Sequence, residues 1–395
     1  MAAERVLDAL LISEGSGGHV IPALEVARHL AAQGSRVTLW YARRQQIAPL
    51  TEGLLRAAQA QHVRVEAILT NPTRGLSRRV RACATLWVRA HRHIARQRPD
   101  VVVAFGGWLS IPVIAAARQW GIACLLHEQN VELGLTNRLL ARWVDRIAMS
   151  FESPSLGPQP SRAVVTGLPI RPGLDGIPRA LAARRFELEG DRPTVLVLGG
   201  SQGAHAINEL FVELTSLMSE SERRTWQFVH LAGASDDRAV RAAYAGYRIR
   251  AHVAKFCPDM QAAYALADVV VARSGASTIA ELAQCGRPAV LIPYPLAHGH
   301  QRANARLVES VGGGLRLEET EATPERLLWI VRQFLQTPGL RQRMGEQLRA
   351  LARPDATARL AGTITALGIS RRPRTARPAS SGMLSVAQAH PLISG

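Results

Sequence analysis

The chain has 395 residues, of which 47% are hydrophobic and 20% charged, which excludes an intrinsically disordered chain and leaves room for two domains. Its 48 lysine and arginine residues against 31 aspartate and glutamate residues give a net charge of +17, which indicates an anionic partner such as nucleic acid, acidic lipid or a phosphorylated substrate. The four cysteines lie far apart without a CxxC pair, which argues against a disulfide framework or a zinc site and is consistent with a reducing cytosol.

A strand, a glycine loop, a helix and a second strand follow one another at the start of the chain. The apolar run Val6–Ser13 is interrupted by Asp8, so it predicts a strand and not a signal peptide. It leads into the glycine-rich segment Glu14–Gly18, after which apolar residues recur at helical spacing as far as Gly34. Alternating apolar residues in Arg36–Ala42 predict the next strand. This order is typical of a parallel α/β domain.

The segment Gly75–Arg98 combines many arginines and histidines with apolar residues, Trp87 among them, at spacings of three or four. The residues alone favour a surface helix that packs this stripe on the sheet, and the alternative is a helix that lies on an anionic bilayer. No aromatic platform or known module accompanies the charge, so nucleic-acid binding is not expected. No run of about 18 apolar residues occurs, so no transmembrane helix is expected.

A second strand–loop–helix unit begins near the middle of the chain. Thr194–Leu198 predicts a strand, Gly199–Gly203 a glycine-rich turn and Ala204–Met218 a helix. Two such units predict two Rossmann-like domains that face each other, joined at the Gly- and Pro-rich segment Gly167–Gly176. Residues 369–395 lack periodicity and are predicted to be a disordered tail. The other predicted strands and closing helices are Val101–Phe105, Ala123–His127, Phe228–Leu231, Val269–Ala272, Ala289–Ile292, Pro338–Leu351 and Asp355–Leu367.

Both glycine loops are candidate phosphate sites, because glycine lets the backbone approach a ligand and free N–H groups at a helix start attract anions. In the first loop Ser16 adds a hydroxyl group, and His19 is placed to act as a base or to form a hydrogen bond. A tight turn without a ligand is the alternative. Val20 stands where a dinucleotide fingerprint has its third glycine, which disfavours a dehydrogenase, although Arg43 and its neighbour Arg44 leave an NADP-binding oxidoreductase open.

Three polar segments follow predicted strands, where ligands bind in α/β domains. Arg273–Glu281 opens a helix with small hydroxyl residues that suit a diphosphate, and Glu281 is a candidate for two ribose hydroxyls. An ordinary capped helix is the alternative. His298–Asn304 and His127–Asn130 carry groups that recognise sugar hydroxyls. The two histidines of His298–Asn304 lack a third ligand, so no metal site is predicted.

The ordered motifs of the chain resemble the MurG family, the UDP-N-acetylglucosamine transferases of bacterial peptidoglycan synthesis, over about residues 6–365. Several motifs in one order are far more specific than a glycine loop alone. The motifs are GSGGHVIPALEVARHL (15–30), AFGGWLSIP (104–112), HEQNVELGLTNRLLA (127–141), LGGSQGAHAIN (198–208), ARSGASTIAELAQCGRPAVLIPYP (272–295), HQRANA (300–305) and RPDATARLA (353–361).

The resemblance implies the GT-B architecture with an active site in the cleft between two domains. It implies an inverting transferase that moves N-acetylglucosamine from UDP-N-acetylglucosamine to undecaprenyl-diphosphate-linked N-acetylmuramyl-pentapeptide, without a cofactor or metal. The enzyme would be a peripheral protein on the cytoplasmic face of the bacterial membrane, which favours bilayer contact for at least Pro72–Trp87. The implied parts are an acceptor and membrane domain (1–166), a linker (167–176), a UDP-sugar domain (177–352) and a closing helix (353–368).

Residue roles carried over from the family cover both sides of the cleft. Asn130 and Gln301 would contact the transferred sugar, and Arg171 and Ser201 the donor diphosphate. His19 is the candidate base. The remaining donor-site positions are Ser16, Gly17 and Gly18 beside diphosphate and sugar, Cys257 with its backbone on uracil, and Ala276, Ser277, Thr278, Ile279, Ala280 and Glu281 on phosphate and ribose.

Four positions depart from the family pattern, and one of them concerns the acceptor. Glu14 replaces a usual glycine, and its carboxylate would repel an anionic acceptor unless it points away or pairs with an arginine. A GT-B transferase with another acceptor therefore stays an alternative. A catalytically silent nucleotide-sugar-binding protein is disfavoured by the intact set of donor residues. The other departures are Ser16 for threonine, Trp108 for tyrosine and Leu168 for asparagine.

Overall fold

The computed structural model describes residues 6–14, 17–42, 49–69, 76–153, 161–199, 204–297 and 299–370, and the strands in these ranges form two parallel sheets. The predicted strands all occur, with bounds that differ by no more than two residues. Most of the predicted tail lies outside the described residues, although Ile369 and Ser370 still belong to the last helix. Among the described residues no helix is long and apolar enough to cross a membrane.

The first sheet has seven strands and forms the N-terminal part of the molecule. They are β1 (Asp8–Ser13), β2 (Arg36–Ala42), β3 (Arg64–Leu69), β4 (Val101–Ala104), β5 (Ala123–Glu128), β6 (Arg146–Met149) and β7 (Ala163–Val165). Their order is β3-β2-β1-β4-β5-β6-β7. The strand order reverses between β1 and β4, and ligands of open parallel sheets bind beside the carboxyl ends at such a point.

Helices cover both faces of this sheet, so its central strands are buried on both sides. The helices between its strands are α1 (Gly17–Ala32), α2 (Pro49–Ala60), α3 (Leu76–Gln97), α4 (Ser110–Gln119) and α5 (Leu135–Leu140). Apolar residues of α1 and α2 pack on one face, and those of α3, α4 and α5 pack together on the other.

The stripe predicted in Gly75–Arg98 is divided between the core and the surface. Ala90 and Ile94 are buried against the sheet, as a surface helix requires, whereas Val80 and Trp87 are exposed. Residues 72–75, which begin the segment Pro72–Trp87 for which bilayer contact is expected, lie outside the described residues.

The second sheet has six strands. They are β8 (Thr194–Leu198), β9 (Gln227–Leu231), β10 (Arg250–Ala254), β11 (Val269–Ala272), β12 (Ala289–Leu291) and β13 (Gly314–Arg316), in the order β10-β9-β8-β11-β12-β13. This order also reverses, between β8 and β11. The helices of this part are α6 (Arg179–Arg185), α7 (His205–Leu217), α8 (Glu220–Thr225), α9 (Gly233–Gly246), α10 (Met260–Leu266), α11 (Ala276–Cys285), α12 (His300–Ser310), α13 (Pro324–Gln336) and α14 (Pro338–Arg349).

The last helix, α15 (Ala356–Ser370), returns to the first sheet. Its Leu360 and Ile364 are buried in the same cluster as the apolar face of α1. The chain passes close to Gly167 on this return, because Gly167 has a φ of +86° and a Cβ there would overlap the side chains of Arg353 and Ala356. The two sheets are thus linked by two chain crossings.

Candidate active site

His19 lies in the first turn of α1, beside the carboxyl end of β4. Its Nδ1 is 2.6 Å from the carbonyl oxygen of Phe105, which also accepts a hydrogen bond from Gln129 Nε2 at 2.9 Å. Because a carbonyl oxygen only accepts, this contact assigns the proton to Nδ1 and leaves the lone pair on Nε2. His19 is therefore held in the tautomer that a general base needs.

The loop after β5 is organised by the buried carboxylate of Glu128. Its Oε1 accepts from the backbone N–H and side-chain Nδ2 of Asn130, at 2.9 and 3.1 Å. Its Oε2 accepts from the backbone N–H of Gly134 at 3.0 Å and from Asn137 Nδ2 at 2.6 Å. All four bonds join Glu128 to residues of the same loop and of α5, so Glu128 fixes the shape of the loop. Within the predicted polar segment, Asn130 is the residue that is partly exposed.

His127 is excluded as a base near neutral pH. Its side chain is fully buried, and burial lowers its pKa to about 3. The neighbouring Gln129 is also buried and bonded inside the fold. Of the four consecutive polar residues at the end of β5, His127 to Asn130, three thus serve the structure, which their sequence position does not reveal.

Asn304 of α12 joins the two halves of the molecule at this loop. Its Oδ1 accepts from the backbone N–H of Val131 at 3.0 Å, and its Nδ2 donates to Asn130 Oδ1 at 3.1 Å and to the Ser274 carbonyl at 3.0 Å. The side chain is fully buried. Asn304 therefore fixes the amide of Asn130 from the opposite side of the cleft. Asn304 belongs to the predicted polar segment, but its partners are more than 170 positions away or in another loop.

The start of α11 presents backbone N–H groups after β11. Gly275 occupies the N-cap and has no side chain, so among the described residues no side chain caps the first N–H groups of α11. Ala276 and Ile279 are buried in the core, as is Cys257 after β10. The side chains of these three residues are therefore unavailable to a ligand, and the backbone N–H of Ile279 is already bonded to the carbonyl oxygen of Gly275 at 3.0 Å.

Glu281 lies further along α11 in a largely buried position. Tyr264 donates its hydroxyl hydrogen to Glu281 Oε2 at 2.8 Å, and Arg171 Nη2 lies 3.9 Å from Oε1. Burial raises the pKa of the Glu281 carboxyl group, while Arg171 and the Tyr264 hydroxyl oppose this rise. One carboxylate oxygen is held by the fold and the other faces a cation.

Arg171 lies beside this carboxylate and the loop after β10. Its Nη1 is 3.5 Å from the carbonyl oxygen of Pro258, and its buried Nε has no hydrogen-bond partner among the described residues. The structure thus brings Arg171 together with Glu281 and with the segment that contains Cys257.

Gln301 begins the first turn of α12 on the same side of the cleft. Its Oε1 accepts from the backbone N–H of Tyr294 at 2.9 Å, and its carbonyl oxygen accepts from the Ser274 hydroxyl at 2.8 Å. The amide of Gln301 is therefore oriented, with Nε2 left as a donor.

Of the predicted residues in the two glycine loops, Gly17 and Gly18 begin α1. The predicted positions Ser16 and Ser201 lie outside the described residues.

The side chain of Glu14 packs against the turn after β4. A Cβ on Gly107, whose φ is +83°, would overlap the Glu14 carboxyl group. Glu14 forms no ion pair within the described ranges, and its buried Oε1 has no hydrogen-bond partner there. Because Gly107 has no side chain, it leaves room for the carboxyl group of Glu14, the residue that departs from the family pattern.

Within the same described ranges, no three histidine, cysteine, aspartate or glutamate side chains converge on a common metal position.

Comparison with known proteins assigns the family. Residues 9–149 match the glycosyltransferase family 28 N-terminal domain, and residues 194–360 match the glycosyltransferase family 28 C-terminal domain. The UDP-N-acetylglucosamine--N-acetylmuramyl-(pentapeptide) pyrophosphoryl-undecaprenol N-acetylglucosamine transferase of Rhodospirillum rubrum is 35% identical over 372 residues, which are 93% of this chain and 94% of that protein. The transferase of the same name from Syntrophotalea carbinolica is 37% identical and covers 83% of this chain and 89% of its own. The chain belongs to the family of these N-acetylglucosamine transferases, within glycosyltransferase family 28.

Solved structures agree with this assignment. The crystal structure of Acinetobacter baumannii MurG matches with a TM-score of 0.73 and 28% identity. The match covers 91% of this chain and 99% of that chain. A UDP-GlcNAc 2-epimerase from Neisseria meningitidis matches with a TM-score of 0.64 but 12% identity, a likeness of fold alone. The predictions of a GT-B fold, of this family and of a glycosyltransferase are therefore confirmed.

Proposed function

We propose that this protein transfers N-acetylglucosamine from UDP-N-acetylglucosamine to undecaprenyl-diphosphate-linked N-acetylmuramyl-pentapeptide, which converts lipid I to lipid II in peptidoglycan synthesis. The observation that carries the proposal is family membership along nearly the whole chain. Glu14 gives no reason to prefer another acceptor, because its side chain packs on Gly107.

The chemistry is a single displacement that inverts the anomeric carbon. His19 Nε2 takes the proton of the acceptor hydroxyl, the hydroxyl oxygen bonds to the anomeric carbon, and the bond from that carbon to UDP breaks. The leaving diphosphate gains negative charge, which the N–H groups at the start of α11 stabilise. Asn130 and Gln301 hold the sugar, and no cofactor or metal takes part in the step.

The nucleoside half of the donor binds at Glu281 and at the backbone near Cys257. The ribose hydroxyls donate to the free oxygen of Glu281, and Arg171 adds a positive charge at this end of the donor. Its position beside Glu281 favours the ribose end over the diphosphate as the place where Arg171 acts.

The protein acts as a peripheral enzyme on the cytoplasmic face of the bacterial membrane. Its net charge and the exposed Val80 and Trp87 of α3 support contact with an anionic bilayer. Nucleic acid is not a partner in this proposal.

The decisive experiment is a transfer assay with UDP-N-acetylglucosamine and lipid-linked muramyl-pentapeptide. We expect a disaccharide product, and donor binding without transfer would contradict the proposal. His19→Ala is expected to lower kcat about 10²- to 10⁴-fold, because general-base catalysis contributes on this order. Near-normal turnover of that variant, with unchanged pH dependence, would show that His19 is not the base.

A further inference from the structure

The carboxyl group of Glu14 lies against the turn that follows β4, directly after the end of β1. It occupies the space that Gly107 leaves open, because a Cβ on this glycine would overlap it. The residue is half-buried, and its Oε1 is buried without a hydrogen-bond partner among the described residues. Glu14 therefore carries a carboxyl oxygen that the described part of the fold does not satisfy.

The carboxylate of Glu128 shows how the same edge of the sheet treats an acidic group that serves the fold. Its two oxygens accept four hydrogen bonds, from Asn130, Gly134 and Asn137. Buried polar groups are nearly always hydrogen-bonded, and an unpaired one costs free energy. The charge of a carboxylate is shared by both oxygens, so a donor that reaches either oxygen of Glu14 offsets this cost. The contrast with Glu128 indicates that Glu14 is kept for a ligand.

The turn after β4 places Glu14 next to the candidate base. The ring of His19 lies on Gly106, where a Cβ would be 3.2 Å from His19 Cε1. Gly106 and Gly107 are consecutive and both have a positive φ. Ser110 fixes them, because its hydroxyl donates to the Gly106 carbonyl at 2.8 Å and its N–H to the Gly107 carbonyl at 3.0 Å. His19 and Glu14 are thus held on neighbouring residues of one turn.

The chemistry of a carboxylate restricts what Glu14 can bind. An ionised carboxyl group only accepts hydrogen bonds, so its partner must be a donor, and it repels the diphosphate and any acidic group of the acceptor. The partner must also lie close to the hydroxyl that gives its proton to His19. In a diphosphate-linked N-acetylmuramyl-peptide, C1, C2 and C3 are substituted and hydroxyls remain only at C4 and C6. Transfer to the secondary hydroxyl at C4 leaves the primary hydroxyl at C6 as the nearest neutral donor.

We propose that Glu14 is a specificity-determining residue of the acceptor site and accepts a hydrogen bond from the primary hydroxyl of the muramyl sugar, while His19 takes the proton of the secondary hydroxyl. The inference rests on the proposed function for the identity of this sugar. It explains how a carboxylate can stand beside an anionic acceptor, because the group that it meets is neutral. A Glu14 that only repelled the acceptor would change acceptor affinity in the opposite direction.

The test measures the affinity of Glu14→Ala for a short-chain, water-soluble acceptor by calorimetry, without a donor. We expect this variant to bind the acceptor about tenfold or more weakly than the wild type, since a hydrogen bond to a charged group is worth at least about this factor. Its affinity for UDP should stay within about twofold, which also shows that it is folded. Glu14→Gln keeps an accepting oxygen without the charge and should give an intermediate loss. Tighter binding of the acceptor by Glu14→Ala would show repulsion and overturn the inference.

Glu132→Gln is the matched control for the loss of one negative charge. Glu132 lies in the loop after β5, is partly exposed and has Arg138 3.9 Å away. The control should bind the acceptor like the wild type or slightly more tightly, because the acceptor is anionic. An equal loss of affinity in Glu132→Gln and Glu14→Ala would assign the effect to net charge and contradict a contact with the sugar.

An acceptor that lacks the primary hydroxyl identifies the group that Glu14 binds. The wild type should bind this 6-deoxy acceptor about tenfold or more weakly than the parent acceptor, whereas Glu14→Ala should bind both alike, as in a double-mutant cycle. The same penalty in both proteins would show that Glu14 does not contact this hydroxyl.

A separate transfer assay distinguishes failure of this inference from failure of the proposed function. If the wild type binds the acceptor but transfers no sugar to it, the proposed function fails, and the loss of affinity in Glu14→Ala still supports the site. Equal affinities of the wild type and Glu14→Ala for the acceptor would overturn the inference even when transfer is normal. A wild type that does not bind the acceptor at all would overturn both.

Discussion

Buried polar groups, one of them the backbone carbonyl of Phe105, hold the residues to which the proposed chemistry assigns roles. Phe105 orients His19, Glu128 orients Asn130, and Tyr264 orients Glu281. Within the described residues, His19 and Glu281 each keep one side-chain atom without a hydrogen bond, whereas both polar atoms of the Asn130 side chain are bonded. Buried hydrogen bonds of this kind are costly to break, so they fix one geometry.

Tyr264→Phe tests whether the free oxygen of Glu281 binds the donor. A hydrogen bond to a charged group is worth about 1.5 to 3 kcal/mol, so we expect the KM for UDP-N-acetylglucosamine to rise about tenfold or more with kcat little changed. The Tyr264 hydroxyl lowers the pKa of Glu281, so its loss raises that pKa. Since ribose binds the carboxylate, donor affinity is lost as the pH falls through this pKa, and the variant should lose it at a higher pH than the wild type.

A donor that lacks the ribose 2′-hydroxyl is the control for this prediction. The difference in KM between wild type and variant should shrink with this donor. If the variant changes kcat and not KM, or if its pH profile matches the wild type, Tyr264 has only a packing role.

His230 makes stability depend on pH. It lies buried between the Tyr244 hydroxyl and Asn208 Oδ1, and burial lowers its pKa to about 3. In the unfolded chain it takes up a proton below about pH 6.5, so its contribution to the free energy of unfolding falls as the pH falls from there, by about 1.4 kcal/mol per pH unit. His230→Gln should flatten this dependence in urea titrations between about pH 7 and 5.

His205→Gln is the matched comparison, because Asp236 raises the pKa of the exposed His205. Protonated His205 stabilises the folded state below its unfolded pKa, and this contribution is lost as the pH rises through its folded pKa. Without it, the free energy of unfolding should fall more steeply as the pH falls, which is the opposite of the change expected for His230→Gln. The same slope in the His230 variant and the wild type would contradict the prediction.

At the scale of elements, α12 links the second sheet to the loop after β5. Among the described residues of α12, only Asn304 has a side chain that bonds to both Asn130 and Val131. The orientation of Asn130 therefore depends on how α12 meets that loop. Asn304 positions Asn130 and does not itself need to contact the substrate.

Asn304→Asp tests this positioning. The change keeps the oxygen that accepts from Val131 but removes the donor to Asn130 and Ser274, and it sets a carboxylate against their oxygens. We expect kcat to fall at least about tenfold, since an unpaired buried polar group costs about 1 to 3 kcal/mol, while the affinity for UDP, which lacks the sugar, stays within about twofold. In a double-mutant cycle with Asn130→Ala the effects should be strongly non-additive. Additive effects, or a weaker affinity for UDP, would show that Asn304 acts elsewhere.

At the scale of the molecule, two parallel sheets face one cleft, where Asn304 of α12 joins the loop after β5 to the residues that follow β11. The last described helix, α15, returns to the first sheet and packs in the same apolar cluster as α1. The excess of basic residues is a property of the whole chain and favours an anionic surface.

Salt should weaken the binding of the whole molecule to anionic vesicles. Because screening shortens the reach of surface charges, we expect affinity to fall about tenfold or more between about 0.05 M and 0.3 M salt. Vesicles of phosphatidylcholine alone serve as the control and should bind weakly at either concentration. Binding that is indifferent to lipid charge and to salt would contradict peripheral attachment by charge.

Periodicity and motif order determined the elements that lie in the middle of each sheet. Strands such as Thr194–Leu198 and Val269–Ala272 are apolar throughout because both of their faces are buried, and the structure has them with these bounds. The glycine-rich segment before α1 and the small residues before α11 were evident from local sequence, because such turns depend on the residues within them. Edge strands such as β3 and β7 carry no such continuous run and were not assigned from sequence.

The sequence by itself determined the family, the two-domain fold and the candidate donor residues, since these depend on local pattern and ordered motifs. Only the tertiary structure decided which polar residues serve the fold: His127 is buried with a low pKa, Glu128 organises a loop, and Asn304 joins the two halves. It also decided where Glu14 packs. The physical reason is that burial and hydrogen-bond partners depend on residues brought together from distant parts of the chain, which no local pattern records.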